Sequence, residues 1–360
     1  MTVVIVYVLI AIALIRTDRS NNETIIEIKN QKNCLPNIYH ILLDEYTNEN
    51  TLKKIEYDNS NFLKTLEKFG FLVFRSSCSN YFNTENSVAS MLNMRYLMDN
   101  EEMCTHTLNV LIKKNKVFKI FLEYNYAVKV YAHSLPEDLY GNTTINPTLW
   151  SFIFTCFSGT PIKHQIENLF FKRFLECHIS NIEMTLNTLI KAKDACGSTN
   201  NIFYAHILSP HAPRCWDSTG NLENDFTFKG FLNPIFALHF TEKDLHQYTN
   251  QVKEISKRIS TFIQTILSQY NENDLKPIII LHGDHGFMNT CIDLDHPLVD
   301  ADSVFGNLFA IYIPQEWQED AKDLQFINLY RFIFNHLFRT NYPYLEQRQM
   351  YKGQPYVLAQ

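Results

Sequence analysis

The sequence predicts a mainly parallel α/β sandwich. Three hydrophobic runs have the length of buried strands: Ile38 to Leu43, Asn201 to Ala205 and Ile278 to Leu281. Segments with helical spacing separate these runs along the chain, and polar residues follow each run. Strands that alternate with helices are typical of a parallel sheet, because a parallel connection needs a crossover of about a dozen residues or more.

Size and composition allow a sizeable core. The chain has 360 residues, of which 46% are hydrophobic, enough for one large domain or two smaller ones. Its net charge is -6 and its Lys and Arg residues form no basic stripe, so we expect no nucleic-acid partner. The eight cysteines include no C-x-x-C pair, which excludes a zinc ribbon and a thioredoxin-type redox site. Their even number leaves disulfide bonds open.

An apolar segment stands at the start of the chain. Val3 to Ile15 is apolar throughout, and Arg16 follows at once. The run is shorter than the roughly 20 residues of a full membrane span. We predict a membrane anchor or signal-like segment over residues 1–16, and we favour the anchor because no Lys or Arg precedes the run. A buried core helix is the alternative, but the polar residues 17–35 are typical of a linker that separates the run from a folded domain.

The folded domain is predicted over residues 36–345, and its first part alternates helices with short strands. Asn61 to Phe69 has the apolar spacing of a helix, and Phe71 to Phe74 is a short strand. A polar loop over Ser76 to Ser87 then leads into a helix over Val88 to Leu97.

The second part of the domain continues this alternation, and residues 346–360 form a predicted C-terminal tail. The remaining predicted elements are a strand that ends at His133, helices within residues 145–186, a helix over Gln247 to Leu267, a strand over Asn307 to Pro314 and a helix over Leu324 to Leu337.

Polar residues follow the predicted strands where a ligand would be expected. Asp44 follows the first run, His206 and His211 follow the second, and Asp284 and His285 follow the third. The carboxyl ends of parallel strands meet at one edge of a sheet, and carboxylate oxygens with imidazole nitrogens suit a single cation. The alternatives are that Asp284 caps a helix and that the histidines are structural.

Thr84 lies at or next to the first turn of the predicted helix after the polar loop. The unpaired N–H groups and the dipole of a helix N-terminus favour negative charge, so a phosphate carried on this hydroxyl would be stabilised. An ordinary N-cap role for Thr84 is the commoner alternative.

Taken together, four motifs resemble the alkaline phosphatase superfamily in type and in order. They are Pro36-Asn37-Ile38 through Asp44, the Thr84 loop with its helix, the segment His206-x-x-x-x-His211-x-Pro213, and Gly283-Asp284-His285-Gly286. Within the superfamily, the pattern is most similar to the sulfatase-like phosphotransferases, namely lipoteichoic acid synthases and lipid A phosphoethanolamine transferases. The resemblance covers roughly residues 36–314 and implies a three-layer αβα sandwich, alkaline phosphatase-like, around a mainly parallel sheet.

The resemblance also implies a set of site residues. Thr84 would be the catalytic nucleophile, and the metal would be bound by Asp44, Thr84, Asp284 and His285. The substrate would be bound by His211, His206 and Asn86. A second metal could use Glu45 and His282, and His296 is also available, although the spacing does not assign it. Carboxylate, alkoxide and imidazole ligands suit zinc, and manganese nearly as well.

The implied function is a membrane-anchored, metal-dependent phosphotransferase. It would move a phosphoglycerol- or phosphoethanolamine-type group from a phospholipid donor to a glycan or lipid acceptor through a phosphothreonine. One alternative is a phosphodiesterase or phosphatase with water as acceptor, or a sulfatase-type hydrolase. Sulfate ester hydrolysis is disfavoured, because Cys78 to Phe82 lacks the Pro and Arg of the sulfatase C-x-P-x-R motif. Another alternative is an inactive surface protein that acts by binding.

The resemblance places the catalytic domain outside the cytoplasm, on the periplasmic or extracellular face of a membrane. Arg16 and Arg19 oppose this orientation, because positive charge beside a membrane segment favours the cytoplasmic side. We give the resemblance more weight.

Overall fold

The fold is built around a six-stranded sheet, seen in a computed structural model that describes residues 35–102, 104–132, 163–195, 200–223, 242–287, 301–351 and 354–355. The strands of this sheet are β1 (Ile38–Leu43), β2 (Leu72–Val73), β3 (Tyr126–Ala132), β4 (Asn200–Ile207), β5 (Ile278–Gly283) and β6 (Phe309–Tyr312). They lie in the order β2-β6-β5-β1-β4-β3, so β1 is central.

The sheet is mainly parallel, as predicted. Strand β1 pairs in parallel with β4 on one side and with β5 on the other, so that Leu43 lies beside both Ile207 and Gly283. Strand β3 continues the parallel arrangement next to β4. Strand β6 runs antiparallel to β5, and β2 runs antiparallel to β6. Both antiparallel pairs therefore lie at the same side of the sheet.

Helices cover both faces of the sheet. The α-helices are α1 (Glu49–Lys54), α2 (Ser60–Lys68), α3 (Thr84–Asn93), α4 (Asp99–Glu102), α5 (Thr105–Lys113), α6 (Lys116–Glu123), α7 (Lys163–Ala195), α8 (Glu242–Ser268), α9 (Ala301–Phe305) and α10 (Leu329–Leu337). Short 3₁₀ turns lie at Gln315–Trp317 and Phe326–Asn328, and a small hairpin pairs Met350–Tyr351 with Gln354–Pro355.

Two separate hydrophobic cores explain why the central strands are mostly apolar. Successive side chains of a strand point to opposite faces, so Leu42 packs with α3, α5, α6 and α10 on one face. Ile41 packs with α2, α7 and α8 on the other face. Because both faces of β1 are buried, neither can carry a polar stripe. The predicted three-layer αβα sandwich is therefore confirmed.

The boundaries of several elements differ from the prediction, and two of these differences concern predicted site residues. Helix α3 begins at Thr84 instead of Val88, because Asn83 caps it by accepting the N–H of Asn86 at 2.9 Å. The capping residue Asn83 therefore lies before Val88, where the apolar pattern of the predicted helix begins. Strand β4 runs on to Ile207, so His206 lies inside the strand rather than just past it.

Several predicted features lie outside the described residues. These are the anchor over residues 1–16, all but the last residue of the linker over residues 17–35, the strand end at His133, residues 145–162 of the predicted helical region, and His296. Within the described ranges, none of the helices combines the length and the apolar composition that crossing a membrane requires.

Part of the predicted tail packs against the polar loop before α3. The side chain of Asn80 donates to the carbonyl of Arg348 at 2.8 Å, and the N–H of Met350 donates to the carbonyl of Asn80 at 2.8 Å. Met350 is also buried against the core. These residues therefore support the loop that leads to Thr84.

Candidate active site

Three chain segments bring acidic and histidine side chains together at the carboxyl edge of the sheet. Asp44 follows β1, His206 lies near the end of β4, and Asp284 follows β5. Since β1 pairs in parallel with both neighbours, the three side chains meet, and one ligand atom of each lies within 4.8 Å of the others. All three are buried. This arrangement is the expected consequence of parallel strands that end together.

Asp44 has one oxygen engaged and one oxygen without a partner. His206 Nε2 donates to Asp44 Oδ2 at 2.8 Å, whereas the buried Oδ1 has no hydrogen-bond partner. Burial opposes ionisation of Asp44, but the charge of His211 and the hydrogen bond from His206 outweigh it and lower its pKa to about 2. Asp44 is therefore a carboxylate at neutral pH.

Asp284 repeats this division between its two oxygens. The backbone N–H of Glu45 donates to Asp284 Oδ1 at 2.9 Å. The buried Oδ2 has no hydrogen-bond partner, and His285 Nε2 lies 3.4 Å from it. Each carboxylate is thus oriented by one oxygen, while its other oxygen is buried without a hydrogen-bond partner.

The two unpartnered oxygens fit a divalent cation. Buried carboxylates are unfavourable unless they are paired or bind a metal. Among the described residues, the ion pairs of Asp44 and Asp284 are formed with histidines alone. A cation would satisfy both free oxygens together, and carboxylate with imidazole is a donor set suited to zinc and manganese.

His285 and Thr84 stand next to these carboxylates. His285 Nδ1 donates to the carbonyl of Gly286 at 2.8 Å, which leaves Nε2 for other contacts. Nε2 lies 3.3 Å from Thr84 Oγ1. Thr84 is the first residue of α3, and the N-cap role suggested for it is filled by Asn83. The Thr84 hydroxyl is therefore not used to cap α3, and it contacts His285 instead.

His211 also contacts the segment that carries Asp44. The backbone N–H of His211 donates to the carbonyl of Asp44 at 3.0 Å, and its ring Nδ1 donates to the carbonyl of Ala212 at 2.7 Å. Burial lowers the pKa of His211, but the charges of Asp44 and Glu45 outweigh burial and raise it. The pKa of His285 is raised in the same way, by Asp284, Asp44 and Glu45 against the effect of burial.

Asn86 and His206 are two further residues that were predicted to bind substrate. Asn86 lies in the first turn of α3 with Thr84, and its buried side-chain Oδ1 has no hydrogen-bond partner. His206 is among the groups that could hold the metal, whereas its role in substrate binding stays a prediction.

His282 faces into the core. Tyr330 hydrogen-bonds to His40 Nδ1, His40 Nε2 lies 2.5 Å from His282 Nε2, and His282 Nδ1 donates to the carbonyl of Gly283 at 2.8 Å. Burial and the charge of His206 lower the pKa of His282 to about 4, against the bond to Gly283, so the ring is neutral. Both ring nitrogens of His282 therefore contact other groups of the protein. A second metal at Glu45 and His282 stays a prediction, and it would have to replace the contact with His40.

Two glycines allow close approach of the backbone around Asp284 and His285. A Cβ atom at Gly283 would lie 2.1 Å from the carbonyl oxygen of Tyr46, and one at Gly286 would lie 2.1 Å from that of Ser303. Their role is to remove a steric conflict between neighbouring segments.

Sequence reasoning missed one group that supports the site. Tyr248 of α8 is fully buried, and its hydroxyl donates to the carbonyl of Glu45 at 2.7 Å. In the sequence, Tyr248 belongs to the apolar face of an amphipathic helix and is indistinguishable from core residues. No local signal could have identified it.

Comparison with solved structures finds proteins of similar fold. No protein-family model and no curated protein matches the sequence. A candidate sulfatase from Bacteroides fragilis matches with 11% identity over 86% of this chain and 75% of its own, at a TM-score of 0.52. The phosphonate monoester hydrolase of Agrobacterium radiobacter matches with 12% identity over 84% and 74%, at a TM-score of 0.51.

A third match is the soluble domain of lipooligosaccharide phosphoethanolamine transferase A from Neisseria meningitidis. It has 12% identity over 86% of both chains, at a TM-score of 0.45. The first two matches show that this chain has the fold of alkaline phosphatase-like sulfatases. The fold that the resemblance implies is thereby confirmed.

Proposed function

We propose that this protein is a metal-dependent phosphotransferase whose nucleophile is Thr84. The observation that carries the proposal is the position of Thr84 Oγ1, which lies 3.3 Å from His285 Nε2. That nitrogen in turn lies 3.4 Å from the unpartnered oxygen of Asp284. A hydroxyl at a helix N-terminus, beside a group of buried acidic and imidazole ligands, suits nucleophilic catalysis.

The metal would be held by Asp44, Asp284 and His285, with Thr84 beside them. A divalent cation in this place would lower the pKa of the Thr84 hydroxyl and offset negative charge on the phosphoryl oxygens. We propose zinc, with manganese as the second choice, because the set contains an imidazole as well as carboxylates.

The reaction would take place in two steps on Thr84. In the first, a bond forms between Thr84 Oγ1 and phosphorus while the bond from phosphorus to the diacylglycerol oxygen breaks, and diacylglycerol leaves with a proton. In the second, a hydroxyl of the acceptor bonds to phosphorus, loses its proton, and Thr84 is released and reprotonated. The first-turn N–H groups of α3 would stabilise the phosphothreonine between the steps. His211, whose pKa is raised, would present positive charge to the phosphoryl oxygens.

We further propose that the donor is a phospholipid and that the acceptor is a glycan or lipid at a membrane. Support comes from the apolar run Val3 to Ile15 and from the resemblance of the motifs to sulfatase-like phosphotransferases. On this proposal the catalytic domain lies outside the cytoplasm. The net charge of -6 supports the absence of a nucleic-acid substrate.

A Thr84→Ala variant tests the proposed nucleophile. It should fold and retain metal, but lose nearly all release of diacylglycerol from a phospholipid labelled in its headgroup phosphate. The wild type should carry the label on Thr84, detected by mass analysis of the protein, and Thr84→Ala should carry none. Thr84→Ser should keep part of the activity because it keeps the hydroxyl.

Ser87→Ala is the matched control for this experiment. Ser87 lies in the same helix, and its hydroxyl donates to the carbonyl of Tyr81 at 2.9 Å, so this variant loses a structural hydroxyl only. Its activity should resemble that of the wild type. Undiminished turnover by Thr84→Ala would refute the proposed role of Thr84. Label release without any acceptor would indicate that water serves as acceptor.

A further inference from the structure

Tyr248 links helix α8 to the turn that follows β1. Its hydroxyl donates to the carbonyl of Glu45 at 2.7 Å and accepts the N–H of Thr47 at 3.3 Å. Burial, together with the charge of Glu45, raises the pKa of Tyr248 far above its usual range. The hydroxyl therefore stays protonated and can always donate to Glu45.

The turn that Tyr248 contacts is strained. Glu45 has a φ of 64°, in the left-handed region, which is unfavourable for a non-glycine residue. Such a conformation persists only where surrounding contacts hold it. The same residue donates its N–H to Asp284 Oδ1 at 2.9 Å. The carbonyl that accepts from Tyr248 and the N–H that donates to Asp284 therefore belong to the same residue, Glu45.

The ring of Tyr248 contacts the two other segments that carry site residues. Its centroid lies 4.1 Å from that of Phe287, which follows His285 by two positions. The guanidinium carbon of Arg214, three positions after His211, lies 5.8 Å from the ring centroid. A single side chain therefore contacts the segments that follow β1, β4 and β5.

We propose that Tyr248 is a positioning residue for the metal centre. It holds the left-handed turn at Glu45, so that the N–H of Glu45 orients one oxygen of Asp284 and leaves the other for the cation. This inference rests on the metal centre of the proposed function. Groups that orient metal ligands typically change metal affinity by about 10- to 100-fold when they are lost.

Tyr248→Phe tests the inference because it removes the hydroxyl and keeps the ring. Loss of one hydrogen bond is a small part of the stability of a folded domain, so the protein should still fold, and circular dichroism checks this. We expect about tenfold weaker Zn²⁺ binding, measured by competition with a chromophoric chelator. The thermal midpoint of the metal-free protein is measured in parallel.

Tyr126→Phe is the matched control. Tyr126 is also buried, and its hydroxyl donates to the carbonyl of Pro36 at 2.9 Å, beside the start of β1 and away from the metal centre. Both variants should lose thermal stability to a similar extent, but only Tyr248→Phe should lose Zn²⁺ affinity. Equal Zn²⁺ affinity in the wild type and Tyr248→Phe would overturn the inference while leaving the metal centre intact. Absence of Zn²⁺ binding by the wild type would overturn both.

Discussion

Two buried carboxylates define the chemistry at the scale of single residues. Asp44 and Asp284 are 2% and 1% exposed, and each has one oxygen with no hydrogen-bond partner. Burial of a charged group is expensive unless its polar atoms are paired, and the contacts of each carboxylate leave one oxygen unsatisfied. A cation bound by both carboxylates would offset that cost. The proposed metal centre is therefore supported by the burial of these two groups as well as by their identity.

We expect Zn²⁺ affinity to fall as the pH is lowered through the raised pKa of His285. Burial lowers the pKa of His285, but the charges of Asp284, Asp44 and Glu45 outweigh it and raise this pKa, so the metal must displace a proton from His285 once the pH is below it. Below the raised pKa, the affinity should fall about tenfold for each pH unit. Chelator competition at a series of pH values measures this slope.

The control for this dependence is the His285→Ala variant. It should bind Zn²⁺ more weakly at every pH, and the part of the slope that His285 contributes should disappear. An affinity of the wild type that does not change with pH would argue against His285 as a ligand.

At the scale of elements, the site depends on how closely segments pack behind the strand ends. The end of β5 lies against the turn after β1, where Gly283 leaves no room for a side chain. The side chain of Asn307 donates to the carbonyl of Gly283 at 2.7 Å and fixes this strand end from the β6 side. The position of Asp284 is therefore determined by contacts between elements.

Gly283→Ala should destabilise the protein by about 2 kcal/mol or more and weaken metal binding. The added methyl group would lie 2.1 Å from the carbonyl oxygen of Tyr46, so one of the two backbone segments must move, and Asp284 moves with it. Urea unfolding and Zn²⁺ titration measure the two effects.

Gly70→Ala provides the comparison. Gly70 has a φ of 92° in the turn after α2, so alanine there is strained, but the turn carries no proposed site residue. This variant should lose stability and keep its metal affinity. Full metal affinity in Gly283→Ala would show that Asp284 does not depend on this close packing.

At the scale of the whole molecule, the sheet separates two hydrophobic cores and presents the site at one edge. The central strands are buried on both faces. The segments after the strands carry the candidate site, as is usual for α/β sheets. On the proposed function, substrate would approach from this edge.

We expect the domain to be degraded when protease is added to intact cells or spheroplasts. This follows from the proposed orientation, with the catalytic domain outside the cytoplasm. A cytoplasmic protein followed in the same sample should remain intact until the cells are lysed. Complete protection of the domain would instead favour the orientation that Arg16 and Arg19 suggest.

The sequence alone determined the features that depend on local pattern. The apolar runs predicted β1, β4 and β5, because strands buried on both faces must be continuously hydrophobic. Asp44, Asp284 and His285 could be placed at one edge because parallel strands deliver their following residues to the same side. The motif order also indicated the fold class, which the structure confirms.

Only the tertiary structure decided which of these residues interact. The Asp44 partner His206 and the Thr84 neighbour His285 are distant in sequence, and no spacing rule fixes the 2.8 Å and 3.3 Å contacts between them. The same holds for Tyr248, whose role depends on a left-handed turn more than 200 positions earlier in the chain. Sequence periodicity reports which face of an element is buried, but the partner on that face is chosen by packing between elements.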